Sequence, residues 1–260
     1  MRIILYPYKM KSKSAMRLQK YLLDEGVSCL RVYPDGEYTP RRDDLIVGWG
    51  AGNTPAWARS VRGTYLNKSG AVSAAVDKLL SFQKFARNEV SCVPFSVNKR
   101  DAVEWIKAGA KVVLRKTTEG RDGEGIDLVD NMYDFWDKEA PLYTKFISDT
   151  TEYRVHIFRG NVIDVQEKRP REGSRQINPL LRTTSGGWGL YRGNVRCPQV
   201  CQNSAITAVR ALGLDFGAVD VLSARAGNAA HVLEVNTAPE LTEICTEKYG
   251  DILINYARAL

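Results

Sequence analysis

The segment GAVDVLSARAGNAAHVLEVNTAP, residues 217–239, constrains the fold more than any other part of the chain. Two runs rich in β-branched and apolar residues flank a polar centre that contains glycine, a pattern typical of a β-hairpin. With the turn centred near Gly227, Asp220 lies opposite Glu234, because each is seven residues from that centre. Asn236 then shares their face, since side chains alternate along a strand. The other face is predicted to pack in the core and carries Val219, Val221, Leu233 and Val235.

The polar face of this hairpin predicts a metal site. Asp220, Glu234 and Asn236 place two carboxylates and an amide on otherwise hydrophobic strands, where an unpaired charge is costly to bury. A divalent cation would offset that charge, and ligands that are all oxygen favour Mg²⁺ or Mn²⁺ over zinc. The alternative is a solvated polar face that binds nothing.

A glycine-rich loop between two predicted strands is a second candidate site. Gly120, Gly123 and Gly125 follow Arg115 and Lys116, and backbone N–H groups of such a loop could approach phosphates without obstruction by Cβ atoms. It is not a Walker A loop, because no Gly-Lys-Ser/Thr follows. The alternative is a plain hairpin turn across a flexible loop.

The rest of the chain predicts alternating strands and helices of the α/β class. The first lobe has strands at 3–6, 28–33 and 44–48 and a helix at 14–25. A long helix is predicted over 69–88, and a further helix is predicted to begin with Asp101 as its N-cap, since Glu104 completes a capping box. Residues 167–194 show no strong period and are expected to form a functional loop. The last helix is predicted over 248–259.

Charge and composition restrict the classes of partner. The 260 residues carry a formal charge of +7, so an anionic ligand such as a nucleotide is expected. No apolar run approaches the length of a membrane span, and the five cysteines lack metal spacing, so we expect a soluble cytoplasmic protein with reduced thiols. Nucleic-acid binding remains an alternative, through basic residues near Tyr6 and Tyr8, namely Lys9, Lys11, Lys13, Arg17 and Lys20.

Taken together, several segments resemble the ATP-grasp superfamily of carboxylate–amine ligases, especially its glutathione-synthetase and RimK-like branch. They are Asp77-Lys78, VVLRKTTEGRDGEGI, TKFISDTTEYRVHIFRGNVI, ALGLDFGAVDVL and, most specific, VLEVNTAPEL. The resemblance covers about residues 67–260. It implies two α+β subdomains that clamp ATP, with residues 67–145 as the central lid-bearing subdomain and 146–260 as the metal-binding one. Residues 1–66 would form a small α/β lobe before them.

The resemblance also implies roles for individual residues. Asp220, Glu234 and Asn236 would hold Mg²⁺ that bridges the ATP phosphates. Arg115 stands where the family has a phosphate-contacting lysine, and Lys145 stands where many members have glutamate. The implied nucleotide-binding positions are Lys78, Arg115, Gly123, Gly125, Lys145, Phe146, Ile147 and Glu152. The implied cationic set around the acyl phosphate is Arg154, Lys168, Arg169 and Arg182.

The reaction implied is phosphorylation of a carboxylate by ATP, followed by attack of an amine that releases phosphate. We therefore expect an ATP- and Mg²⁺-dependent ligase that acts on an amino acid, a peptide or a protein tail. Two alternatives stay open: an ATP-grasp kinase or ligase with a nucleic-acid-linked or other non-peptide acceptor, and a basic nucleic-acid-binding protein.

Overall fold

The computed structural model describes residues 2–33, 35–36, 38–61, 63–120, 123–174, 181–224 and 228–260. None of the helices in these ranges is long and apolar enough to cross a membrane. The strands are β1 (Arg2–Pro7), β2 (Cys29–Arg31), β3 (Asp44–Trp49), β4 (Thr64–Leu66), β5 (Phe95–Ser96), β6 (Val112–Arg115), β7 (Ile126–Val129), β8 (Leu142–Lys145), β9 (Thr150–Phe158), β10 (Asn161–Pro170), β11 (Trp188–Tyr191), β12 (Phe216–Ala224) and β13 (Ala230–Asn236). The helices are α1 (Lys13–Asp24), α2 (Ser69–Val76), α3 (Lys78–Arg87), α4 (Lys99–Lys107), α5 (Met132–Phe135), α6 (Gln199–Ala211) and α7 (Glu243–Arg258).

The first sheet is parallel, with strand order β2-β1-β3-β4. Helix α1 begins after Ser12, whose hydroxyl accepts a hydrogen bond from the N–H of Ala15, and it buries Leu18 and Leu22. Gly26 follows the helix with φ of +74°, a conformation that favours glycine. The predicted strands and helix of this lobe are confirmed, with shifts of a few residues at their ends.

The second sheet is antiparallel, with order β5-β8-β6-β7. Strands β6 and β7 pair with Arg115 opposite Ile126, which confirms the two predicted strands across the glycine-rich loop. Residues 121 and 122 of that loop lie outside the described residues.

The third sheet has order β11-β10-β9-β12-β13, and its neighbouring strands run antiparallel. Asp220 pairs with Glu234, as the symmetry of the hairpin predicts, although Gly227 itself lies outside the described residues. A β-bulge after Asp220 then shifts the register, so that Val221 pairs with Val232. The prediction for Leu233 holds only in part, because Val232 takes the fully buried position, while Leu233 is partly buried against the same core cluster and also lines the cavity described below.

Two predicted helices have different bounds. The helix over 69–88 is divided into α2 and α3 at Asp77, which ends the first helix and whose carboxylate accepts from the N–H of Leu80 as N-cap of the second. The N-cap of α4 is Asn98 and not Asp101, because the Asn98 side chain accepts from the N–H of Arg100.

Two further segments were predicted incompletely. Residues 167–194 are not all loop: Glu167–Pro170 extend β10, and β11 pairs with them. Helix α7 begins five residues before the predicted start, because Thr242 caps it by accepting from the N–H of Cys245.

The core joins the first sheet to the third. One buried cluster contains Ile3 and Leu5 of β1, Phe216 of β12 and Leu253 of α7. A second buried cluster lies between the third sheet and helices α2, α3 and α6. The third sheet is thus anchored by both clusters through its apolar residues.

Candidate active site

A cavity of about 550 Å³, here called the central cleft, lies between the second and third sheets. Residues of β6, β8, β9, β10, β12 and β13 line it, together with the glycine-rich loop and residues 181–184. The predicted site residues that line it are Lys78, Arg115, Gly123, Lys145, Phe146, Ile147, Glu152, Arg154, Lys168, Arg182, Asp220, Glu234 and Asn236. One enclosed space therefore brings together residues that are up to 158 positions apart in the sequence, from Lys78 to Asn236.

Two predicted residues do not line the central cleft. Arg169 follows Lys168 on β10, and neighbouring side chains on a strand point to opposite faces. Its guanidinium pairs with Glu167 at 2.8 Å and donates to the carbonyl of Gly193 at 2.9 Å. Gly125 has φ of +67°, and its carbonyl accepts from the N–H of Lys116 at 2.8 Å, so it shapes the β6–β7 turn.

The oxygen ligands predicted from the hairpin converge in the central cleft. The Nδ2 atom of Asn236 donates to Oε1 of Glu234 at 3.2 Å and lies 3.5 Å from Oδ2 of Asp220. Two carboxylates and one amide side chain within hydrogen-bond reach form a donor set that fits a hard cation such as Mg²⁺. With its amide group rotated, Asn236 would present oxygen in place of nitrogen.

Protein cations pair with both carboxylates of this donor set. Arg154 pairs with Asp220 through two hydrogen bonds of 2.7 Å each. Burial opposes the charged form of Asp220, but Arg154 and Lys168 outweigh it and lower the pKa of the carboxyl to about 2. The ammonium of Lys78 lies 3.4 Å from Oε2 of Glu234.

Lys78 also holds the glycine-rich loop. Its Nζ atom donates to the carbonyl of Gly120 at 2.8 Å, and its backbone N–H donates to the carbonyl of Thr118 at 2.8 Å. The break between α2 and α3 makes both contacts available, because it places Lys78 in the first turn of α3. One side chain thus joins this loop to the candidate metal ligand Glu234.

Arg115 is a buried cation that forms no salt bridge among the described residues, and Glu234 is the carboxylate whose charge acts on it. The residue is 9% exposed, and its Nε atom has no hydrogen-bond partner in that part of the chain. Burial lowers the pKa of the guanidinium, and the charge of Glu234 offsets this only in part. An anion in the central cleft would complete the contacts of this residue.

A second group of charges surrounds Glu152. Lys168 donates to Oε1 of Glu152, and Arg182 lies 3.8 Å from Oε2. Arg182 also donates to the carbonyl of Thr150 at 2.6 Å and lies over the Trp188 ring. Burial opposes the charge of Lys168, but Asp220 and Glu152 outweigh it and raise the pKa of its ammonium. Lys168 is therefore cationic at neutral pH.

The hinge after β8 offers a restricted set of backbone groups. The N–H of Lys145 donates to Pro94 and that of Phe146 donates to Lys111. An adenine ring at this hinge would therefore meet the carbonyl of Lys145 and the N–H of Ile147 rather than these two N–H groups.

The apolar residues that line the central cleft were not predicted as site residues from the sequence. Val93, Val113, Leu222 and Leu233 line it beside the hinge residues. Apolar walls suit a planar base, but in the sequence these residues cannot be distinguished from residues of the hydrophobic core. Only the bulge after Asp220 distinguishes Leu233, and nothing in the sequence marks that bulge.

A separate buried cluster contains His156, Asp164 and Cys245, whose potential ligand atoms lie within 4.8 Å of one another. Asp164 already pairs with Arg192 at 2.7 Å and Lys248 at 2.6 Å. These two cations satisfy the carboxylate and oppose a metal ion there.

Known proteins with similar sequences are named as ligases. No protein-family model matches the chain. A probable alpha-L-glutamate ligase of Psychromonas ingrahamii is 29% identical over 235 residues, which cover 81% of this chain and 73% of that protein. A probable alpha-L-glutamate ligase of Marinobacter nauticus is 31% identical over 197 residues, which cover 69% of this chain and 61% of that protein.

Solved structures share the fold over almost the whole chain. The ATP-grasp ligase PsnB, complexed with a minimal precursor, Mg and ADP, has a TM-score of 0.69 at 11% identity and covers 98% of this chain and 97% of that one. D-alanyl-alanine synthetase A of Vibrio cholerae has a TM-score of 0.69 at 14% identity and covers 100% and 98%. By fold and by sequence, the chain belongs to the ATP-grasp superfamily of ATP-dependent carboxylate–amine ligases, in its RimK-like branch.

Proposed function

We propose that this chain binds ATP and Mg²⁺ in the central cleft, phosphorylates a substrate carboxylate and joins it to the amine of an amino acid or peptide. ADP and phosphate are the other products. The observation that carries the proposal is the buried cation of Arg115, which forms no salt bridge among the described residues, in the same cavity as the Asp220, Glu234 and Asn236 side chains. A polyphosphate with a bound cation would satisfy both.

Each residue of the central cleft has a proposed role that follows from its position. Arg115 and Lys78 would bind the phosphates, while the apolar wall and the hinge would hold the base. Asp220, Glu234 and Asn236 would hold Mg²⁺, which when bound supplies positive charge to the transferring phosphoryl group. Lys168 and Arg182 present fixed positive charge where the acyl phosphate oxygens develop, a contribution that costs no reorganisation during the reaction.

Arg154 lines the central cleft with Lys168 and Arg182, but its guanidinium is paired with a candidate metal ligand. Both of its hydrogen bonds to Asp220 tie it to the candidate metal ligand. We therefore propose that Arg154 mainly orients Asp220. Its positive charge would act on the acyl phosphate only at longer range, because the Asp220 carboxylate already binds its guanidinium. Glu152 would hold Lys168 and Arg182 in place, in addition to any contact with ribose.

The comparisons make glutamate the first substrate to test, because the curated relatives carry that amino acid in their names. Peptide acceptors come second, because solved neighbours were obtained with precursor peptides. A cytoplasmic location, where ATP is supplied, is part of the proposal.

The test is release of ADP and phosphate from ATP and Mg²⁺, with pools of amino acids, peptides and nucleic acid, and with products identified by mass. We expect release to require one pool, to yield an amide product, and to vanish in Glu234→Gln. Glu104→Gln is the matched control, because Glu104 lies exposed on α4 and pairs only with Lys107 among the described residues. ADP release without an amide would instead indicate a kinase, and equal activity of Glu234→Gln would contradict the metal assignment.

A further inference from the structure

The first sheet has its own ligand crevice, which opens beside the candidate metal ligands. In the order β2-β1-β3-β4, the chain leads from β1 towards one edge of the sheet and from β3 towards the other, so the switch point lies between β1 and β3. In open parallel sheets, ligands bind outside the carboxyl ends of the strands at such a point. Here those ends lead into Tyr8 and Gly50.

Gly50 brings this edge onto the hairpin that carries the metal ligands. Its φ is +74°, and a Cβ atom there would lie 2.6 Å from Cβ of Ala238 and 3.2 Å from the Tyr8 ring. Only glycine allows this approach. The contact closes one wall of a cavity of about 180 Å³, here called the edge crevice.

The edge crevice and the central cleft meet at Lys78, Glu234 and Asn236, which line both. A nucleotide in the central cleft would place its reacting phosphate at this boundary, near the metal ligands. The edge crevice is therefore an approach by which a nucleophile can reach an acyl phosphate without crossing the nucleotide.

The lining of the edge crevice suits an amine that also carries a carboxylate. Its inner walls are small and apolar, from Ala75, Val76 and Ala238. Glu119 stands exposed at its rim, with no ion-pair partner among the described residues, and can bind an ammonium group. Lys9 lies 5.0 Å from the centre of the Tyr8 ring, which lines the crevice, and can bind a carboxylate.

We propose that the edge crevice is the amine subsite of the ligase, and that Glu119 and Lys9 select an amino acid by its ammonium and carboxylate groups. This inference rests on the proposed function and names the residues that determine its second substrate. The ammonium end enters beside Glu119, and the carboxylate stays at the rim beside Lys9.

Binding of L-alanine and L-glutamate to the full chain loaded with Mg²⁺ and ADP tests the inference, with ethylamine and 4-aminobutyrate as counterparts that lack the α-carboxylate. An exposed ion pair at the rim contributes up to about 1 kcal/mol. Glu119→Gln should therefore weaken the binding of all four amines about fivefold. Lys9→Ala should weaken only the amino acids, by a similar factor. Glu104→Gln and Lys20→Ala, two exposed sites away from the crevice, are the matched controls and should bind as the wild type does.

A larger side chain in the wall of the crevice gives an independent measurement, but Gly50→Ala would also displace Ala238. Val76→Leu is the cleaner variant, because Val76 lines the edge crevice but not the central cleft, so amine binding should weaken while ADP binding is kept. Equal amine binding by the wild type, Glu119→Gln and Lys9→Ala, or no amine binding by the wild type, overturns the inference. Absence of ATP-dependent amide formation in the wild type overturns the proposed function instead, so the two failures are distinguishable.

Discussion

Replacement of Arg154 by leucine should destabilise the fold through the carboxylate it leaves behind. The Arg154 and Asp220 side chains are 16% and 5% exposed, and both hydrogen bonds between them are 2.7 Å. Removal of one partner of a buried pair typically costs about 3–5 kcal/mol. Lys168 stays near Asp220, so we expect the lower end, about 3 kcal/mol. For a chain of this size that corresponds to a fall in Tm of about 6–12 °C.

Thermal and urea unfolding, followed by circular dichroism, measure this change. Lys20→Ala breaks an exposed pair with Asp24 and should cost less than about 1 kcal/mol. The double variant Arg154→Leu/Asp220→Leu should regain most of the lost stability, because apolar residues replace the pair. Mg²⁺ should stabilise Arg154→Leu more than the wild type, since Asp220 then lacks its cation. A single variant within about 1 kcal/mol of the wild type, or a double variant below the single, would refute the reasoning.

Three other predictions test separate parts of the molecule. Arg115→Met should lose ATP binding, by fluorescence titration, yet unfold at the same urea concentration as the wild type or higher, because an unpartnered buried charge is removed; lower stability would contradict this. Burial lowers the pKa of His156 from 6.5 to about 4, so the folded state holds it neutral. The contribution of His156 to the free energy of unfolding is then fully present above pH 6.5 and falls by about 3 kcal/mol as the pH drops towards 4. Urea titrations of His156→Gln should lack this pH dependence. Val232→Ala should cost about 2 kcal/mol with nucleotide affinity unchanged, whereas Leu233→Ala should weaken nucleotide binding with little loss of stability; the reverse pattern would contradict the β-bulge.

The hairpin of β12 and β13 shows which features of the site can be predicted from the sequence. Equal spacing about residue 227 predicts that Asp220 faces Glu234, because register follows from the alternation of side chains. The bulge inserts one residue, and the apolar run of Val232 and Leu233 fits either register, so the bulge and the position of Leu233 could not be predicted. The chemistry of the polar face was predictable, but the apolar wall of the central cleft was not.

The break at Asp77 illustrates a second limit. Apolar residues continue at helical spacing across it, and neither proline nor glycine interrupts them. Aspartate is compatible with both a helix interior and an N-cap, so only the contacts of Lys78 with the glycine-rich loop decide between them. In the same way, Arg154 and Arg182 are equally basic in sequence, and only the structure shows that Arg154 is committed to Asp220.

The packing of α7 against the first sheet has a consequence for biosynthesis. Leu253 and Ile254 complete the buried cluster that contains Ile3 and Leu5, and Tyr21 of α1 donates to Asp251 at 2.7 Å. The first lobe to leave the ribosome therefore lacks part of its own interior until residues 243–258 have been translated. Domains usually fold in order from the N-terminus. Strands β1–β4 cannot complete their interior before α7 is present, so their apolar surface stays uncovered while the intervening residues are translated.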